Sequence, residues 1–364
     1  MGLRHFLDWK DNGSWLADNV SKKAVEEFRK ETRLQGFHPW WENRKRIFPA
    51  YKVITAPVFI GAEMLPKNQF AGSDFKFNVV LIKDPLRKVA ASCSAKIVDL
   101  DGRTVVSRRF KAVLPVNQDK TICPVGIRIP DAVRTGFYKL ELSFEESAKL
   151  RNRNYYNIYI LNRNDLPAVK CAGTMAVYQD TSTLSSILDM NQIKHQVISD
   201  LSDLSKYKRL IVNISNKKAW GRFAANGNAI RQWVKKGNHL LIMEIPEAVS
   251  LNWILSGYEV KKDASGFETT SILMEPVVRK HPVFEGLKLE NFDTLNGDHG
   301  VVGDALLFPL SENLIGAGYI ASKVKAGAIV FEAGVGKGSC IVSQVMALKR
   351  YNNDSSATLY LHNL

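Results

Sequence analysis

The sequence predicts a multidomain β plus α/β chain, in which a β-sandwich is followed by a parallel sheet with helices on both faces. Three observations lead there. Seven short alternating segments follow one another between Val53 and Leu161 with no helical stretch among them. After Pro167, strand and helix patterns alternate. Ahead of both lie about fifty residues that hold Trp9, Trp15, Trp40 and Trp41 in turn-rich sequence. So much aromatic surface beside so little periodic structure needs a larger body to pack against. The predicted divisions are 1–50, 51–166 and 167–364.

In the first division only SKKAVEEFRKETRL has helix-forming composition, with Gly36 placed to end it. The second division contains VITAPVFIG, FKFNVVLI, SAKIVDL, TVVSRRF, ICPVGIRI, FYKLELSF and NYYNIYIL. Turn residues separate them, and Asp101–Gly102 between two alternating runs is a hairpin signal. Seven such strands over roughly 110 residues predict an immunoglobulin-like sandwich, although the Cys…Trp…Cys pattern of antibody domains is absent. In the third division TMAVY reads as a buried strand and DTSTLSSILDMN as a helix capped by Asp180 or Thr181. HQVIS and RLIVNIS are further strands, with a helical turn between them through DLSDLSKY. A helix through NAIRQWVKK stops at Gly237 before the strand HLLIME, and DSSATLYLHNL closes the chain as a helix. Alternation of this kind implies a parallel sheet.

Composition narrows the function classes. Hydrophobic residues make up 45% and charged residues 24%, ordinary for a globular protein. No apolar run approaches the roughly 20 residues that cross a bilayer, so no membrane partner is expected. The opening MGLRHFLDWKDNGSW has no apolar core of a secretory signal; the location is left open, with the cytoplasm expected unless the chain is a fragment of a secreted or periplasmic precursor. Cys93, Cys123, Cys171 and Cys340 form no C-x-x-C pair; they read as small buried hydrophobes, with no metal or other cofactor implied. The net charge is +14, but lysine and arginine recur along the whole length, which reads as solvated faces and not as a nucleic-acid surface. The basic and aromatic stretch KLRNRNYYNIYILNRN alternates as a strand does.

Near the end, FEAGVGKGSCIVSQ invites a phosphate-binding reading. A P-loop requires G-x-x-x-x-G-K-[ST] between strand and helix. Here Phe331 stands where the first glycine belongs, Gly338 follows Lys337, and the apolar SCIVSQV is strand sequence. The segment is expected to be a hairpin turned by its glycines.

Parallel α/β sheets place functional groups at the C-terminal ends of their strands. Those ends carry Asp180, Ser215 and Glu244, and His299 stands in the glycine-rich loop NGDHGVVGD. These four are the candidate ligand-binding residues. No catalytic residue is assigned: there is no G-x-S-x-G or G-x-C-x-G elbow, and no histidine begins an H-x-E or H-E-x-x-H pattern.

Several segments carry a resemblance. VYQDTSTLSSILDMNQIKHQVISDLSDLSKYKRLIVNIS resembles the opening of a class I glutamine amidotransferase-like domain, and AIRQWVKKGNHLLIME its following helix and strand. RKHPVFEGL and EAGVGKGSCIVSQVMALKRY are similar to later phrases of that superfamily's non-amidotransferase branches, including domains appended to glycosidases. The resemblance covers roughly residues 170–364 and implies a flavodoxin-like parallel sheet; the family's catalytic Cys and His–Glu have no counterparts. FRKETRLQGFHPWW resembles the end of the catalytic barrel in family 2-type glycoside hydrolases, and residues 47–84 the exit into an accessory sandwich. Together these imply the C-terminal part of a β-galactosidase- or β-mannosidase-like enzyme, starting inside its barrel. The acid/base of that family is the glutamate of an Asn-Glu pair, and the chain contains no such dipeptide. The resemblance thus implies a non-catalytic accessory region that braces the barrel, mediates oligomer contacts or lines a sugar site. Its partners would be the rest of the enzyme or further copies of the chain, with carbohydrate as the candidate ligand. The rival expectation is a stand-alone hydrolase or ligand-binding enzyme using the cleft near Glu244 and His299.

Overall fold

The computed structural model describes residues 58–83, 88–147, 149–169, 173–245, 251–255, 274–297, 300–302, 314–320 and 325–364. The expectations for residues 1–50, for Cys171 and for His299 lie outside them. The chain is a β-rich multidomain protein, with three sheets and four α-helices among the described residues. It divides into two compact units, one ending at Asn162 and the other beginning at Arg163.

The first unit holds β1 (Val58–Glu63), β2 (Asn68–Phe70), β3 (Asp74–Lys83), β4 (Val89–Val98), β5 (Thr104–Leu114), β6 (Lys120–Arg128), β7 (Gly136–Glu146) and β8 (Lys149–Leu161). They form a sheet of order β1-β3-β6 and one of order β2-β8-β7-β4-β5. Period-2 patterning puts Phe75, Phe77, Val79 and Leu81 of β3 inward, and the inward residues of both sheets build one apolar cluster. Among the described residues eight strands are present where seven were expected. The extra one, β2, pairs in parallel with the end of β8, so Ile158 to Leu161 are all buried and the alternation of β8 stops there. Asp101–Gly102 does turn a hairpin: Gly102 has φ +84°, and the Asp99 carboxylate accepts the Arg103 N–H at 2.8 Å. Cys93 is buried in this core and Cys123 is half-buried.

The second unit holds β9 (Met175–Gln179), α1 (Thr183–Met190), β10 (His195–Val197), β11 (Arg209–Asn213), α2 (Lys217–Ala225), α3 (Gly227–Lys235) and β12 (His239–Met243). β13 (Met274–Pro276), β14 (Leu314–Ile320), β15 (Lys325–Val335), β16 (Gly338–Ser343) and α4 (Ser355–Asn363) follow. One sheet of order β10-β9-β11-β12-β16-β15-β14-β13 contains every strand described in this unit. The pairs from β10 to β16 are parallel, and those from β16 to β13 antiparallel, so the sheet is mixed where a parallel one was expected. Leu210, Val212, Leu240 and Ile242 face α2 and α3 in one cluster. Met175, Val177 and Met243 face α1 in another, against which Leu361 of α4 packs. Burial on both faces explains the near-continuous apolar runs. DLSDLSKY forms turns and no helix; its carbonyls at Leu204 and Tyr207 instead receive the Trp233 indole N–H, at 2.8 and 3.2 Å. Helix α2 was not foreseen. Only Ala219, Trp220 and Phe223 mark its buried stripe.

Residues 325–343 form the hairpin read from the sequence, with Val335 paired to Gly338 across Gly336–Lys337. Gly336 has φ +67°, at the first central position that a II′ turn assigns to glycine.

Candidate functional site

The strand order doubles back at β9, whose neighbours are β10 on one side and β11 on the other. The crevice outside the carboxyl ends of strands at such a point is where open α/β sheets take ligands. Asp180 and Ser215 stand there, just past β9 and β11. Asp180 does not cap α1, since Ser182 occupies that position without a side-chain bond. Its carboxylate turns instead to the β11–α2 loop. It accepts the Ser215 N–H at 2.9 Å, the Ser215 hydroxyl at 3.0 Å, the Asn216 N–H at 3.0 Å and the Asn216 amide at 2.7 Å. Asn216 in turn caps α2 by accepting the Ala219 N–H at 2.8 Å. Charge-assisted bonds of this kind are strong, so the carboxylate acts as an anchor that sets where α2 begins.

Glu244 follows β12 and is joined to the strand ends on both sides. Its N–H donates to the Ser343 carbonyl at 2.8 Å, and the Asn213 amide donates to the Met243 carbonyl at 3.4 Å. Its backbone adopts φ +50°, a left-handed conformation uncommon outside glycine. One carboxylate oxygen accepts the Leu348 N–H at 3.1 Å. Burial pushes the acid above the usual glutamate range, opposed by the Leu348 N–H and by Lys349 and Arg350. A largely buried acid in an uncommon backbone conformation is what functional sites accumulate.

Behind Glu244 lies a polar interior that the sequence did not reveal. The Gln344 side chain clasps the Ile245 backbone, accepting its N–H at 2.6 Å and donating to its carbonyl at 3.3 Å. Ser343 and Tyr360 hydroxyls bond at 2.8 Å, and burial raises the Tyr360 phenol. Asp354 caps α4 through the Ala357 N–H at 2.8 Å and also receives the Asn296 N–H at 2.6 Å. Only that last cap had a signal, the Asp-Ser-Ser that opens a helical run. The others are glutamine, serine and tyrosine in ordinary strand and helix sequence.

Asp180 and Ser215 are therefore in direct contact, Glu244 sits at the neighbouring strand end, and His299 lies outside the described residues. His281 serves its loop: Nδ1 accepts the Val283 N–H at 3.3 Å, leaving Nε2 to donate to Glu332 at 3.1 Å. Cys340, inside the sheet, has its thiol pushed up to about 12 by burial, far from a reactive thiolate. Among the described residues no three His, Cys, Asp or Glu side chains stand together as a metal site, and no helix is long and apolar enough to cross a membrane.

Comparison with known proteins gives a coarse neighbourhood. No family model matches the chain, and no curated protein does. Solved structures with weak, partial likeness include domains of family 2 glycoside hydrolases. A β-glucuronidase of that family shares 17% identity at a TM-score of 0.23, over 29% of this chain and 11% of the enzyme. A family 2 member from Bacteroides cellulosilyticus shares 11% identity at the same score, over 52% of this chain and 36% of the other. The sporulation control protein Spo0M from Bacillus subtilis, of a different kind, shares 15% at 0.23 over 29% and 49%. Likeness at this level carries no argument about activity, and this chain matches only a minor part of the two enzymes.

Proposed function

We propose that the chain is a non-catalytic accessory region of a carbohydrate-active glycoside hydrolase, bracing the catalytic barrel, mediating oligomer contacts or lining a sugar site. The observation that carries this reading is the occupation of the Asp180 carboxylate by donors of Ser215 and Asn216. At the position where such a sheet takes ligands, the acid is spent on holding a loop and a helix. The first unit, two sheets around one core, supports reading it as an immunoglobulin-like sandwich. The parallel order β10-β9-β11-β12-β16 is the 2-1-3-4-5 order of flavodoxin-like sheets and supports the amidotransferase-like reading of the second, with an antiparallel extension.

The purified chain should not hydrolyse chromogenic galactosides, mannosides or glucuronides. Cleavage of a glycosidic bond by a retaining enzyme needs two carboxylates about 5–5.5 Å apart, and the sequence that resembles a barrel holds no Asn-Glu pair. An upstream reading frame encoding a jelly-roll domain and most of a barrel would add support. The second reading, a stand-alone enzyme using the strand-end cleft, is favoured by one observation, the raised acid of Glu244 at φ +50°. Turnover that survives purification and vanishes in Glu244→Gln would put that reading first.

A further inference from the structure

The positive charge is not spread evenly. Residues 204–243 contain nine lysines and arginines and no aspartate or glutamate, and the fold gathers much of that charge on one face. Helix α2 buries Ala219, Trp220 and Phe223 and exposes Lys217, Lys218 and Arg222. Helix α3 buries Ile230, Trp233 and Val234 and exposes Asn228, Gln232, Lys235 and Lys236. Their buried residues join a single cluster on one side of the sheet, so their outer residues share one surface. The β15–β16 turn adds Lys337, whose N–H donates to the Lys235 carbonyl at 3.0 Å. Among the described residues none of these cations stands in an ion pair.

Two of them also work against their own helix. Lys217 and Lys218 occupy the first turn of α2, which has no acidic residue, and there the free N–H groups already present positive charge. A local rule broken with no gain inside the fold points to a gain outside it.

We infer that the outer face of α2 and α3, with the β15–β16 turn, binds an acidic polysaccharide through the carboxylate or sulfate groups of its sugars. Asn228 and Gln232 supply amides for sugar hydroxyls between the cations. Single-stranded nucleic acid fits less well, because its binding uses exposed aromatic rings for stacking; a duplex, which cations alone can hold, is distinguished by the test below. Tyr207, Trp220, Phe223 and Trp233 are no more than 7% exposed, and Tyr178 and Trp253, which pack against Phe223, are partly covered, so among the described residues no exposed ring stands beside these cations. A lipid surface would take apolar side chains beside the cations, and no large hydrophobic residue between 204 and 243 is exposed.

The choice of a sugar polymer rests on the accessory reading above; the surface itself does not. Titration of the full chain with polygalacturonate or dextran sulfate at low salt should show binding that weakens steeply as salt rises, and neutral galactan should not bind. Replacing three cations of α2 (K217Q/K218Q/R222Q) should weaken binding about tenfold or more. The same loss of charge in the first unit (K76Q/R109Q/K111Q) should change it less than about twofold. Charge reversal in K217E/K218E should abolish binding and raise the melting temperature, because acids suit a helix start. No binding to either polymer, equal loss in both triple variants, tighter binding of duplex DNA, or a lower melting temperature in K217E/K218E would overturn the inference. Glycosidase turnover by the chain would overturn the accessory reading alone and leave this binding result standing.

Discussion

At the scale of single residues, Glu244 is the group whose environment matters most. Burial disfavours its charged form, and this outweighs the Leu348 N–H and the cations Lys349 and Arg350. The folded chain therefore holds this proton more tightly than the unfolded chain does. Stability from Glu244 is full below the ordinary glutamate value near 4.3 and declines as pH rises through the raised folded value. Glu244→Gln removes that titration. Melting temperatures of both proteins, measured between about pH 4 and pH 7, should show the advantage of the native chain shrinking with pH. A widening advantage would mean that the cations dominate and the carboxylate is held charged. Asp180 was recognised from sequence as a residue at a strand end, but its placement at the head of a helical pattern suggested a cap. The structure gave it to a different helix, because the Ser215 and Asn216 donors offer more bonds than the first turn of α1 could.

Elements whose logic is local were legible beforehand. The β15–β16 hairpin followed from glycines at a turn between two apolar runs, and the P-loop failed on residue identity alone. What local logic could not supply is why Gly338 must be glycine. A Cβ there would lie 2.1 Å from the Asn238 carbonyl oxygen and 2.2 Å from that of Val234, so the hairpin tip is wedged against the end of α3. Gly338→Ala should cost about 3 kcal/mol, the upper range for overpacking. Lys337→Ala, at an exposed position, should stay within about 0.5 kcal/mol. Denaturant unfolding of the two variants tests this, and equal stability would show that the backbone can yield at the tip. Helix α2 went unseen for the opposite reason: its buried stripe is three residues among lysines, glycine and alanines, too short for periodicity to announce.

For the molecule as a whole, we expect the boundary between the first and second units to open first under attack. Residues 163–165 and 167–169 are exposed, and exposed connections are the preferred sites of nicking. Limited trypsin digestion should cut near Arg163 before it cuts either core, leaving a fragment of the α/β unit resistant. Early cleavage inside RLIVNIS, with the 162–168 segment intact, would show that the units are divided elsewhere. The sequence by itself determined the order of β and α/β parts, the hairpins at Gly102 and Gly336, and the failure of the P-loop spacing at Gly336–Lys337. Each of those depends on neighbours a few residues apart, through turn angles, periodicity and fixed spacing. Only the tertiary structure decided what the polar groups do. Asp180 meets donors 35 residues away, Glu244 an amide 104 residues away, and the cations of α2 and the β15–β16 turn share a surface because two helices and a hairpin tip pack on one sheet face. Such pairings are set by how layers stack, and spacing along the chain carries no trace of them.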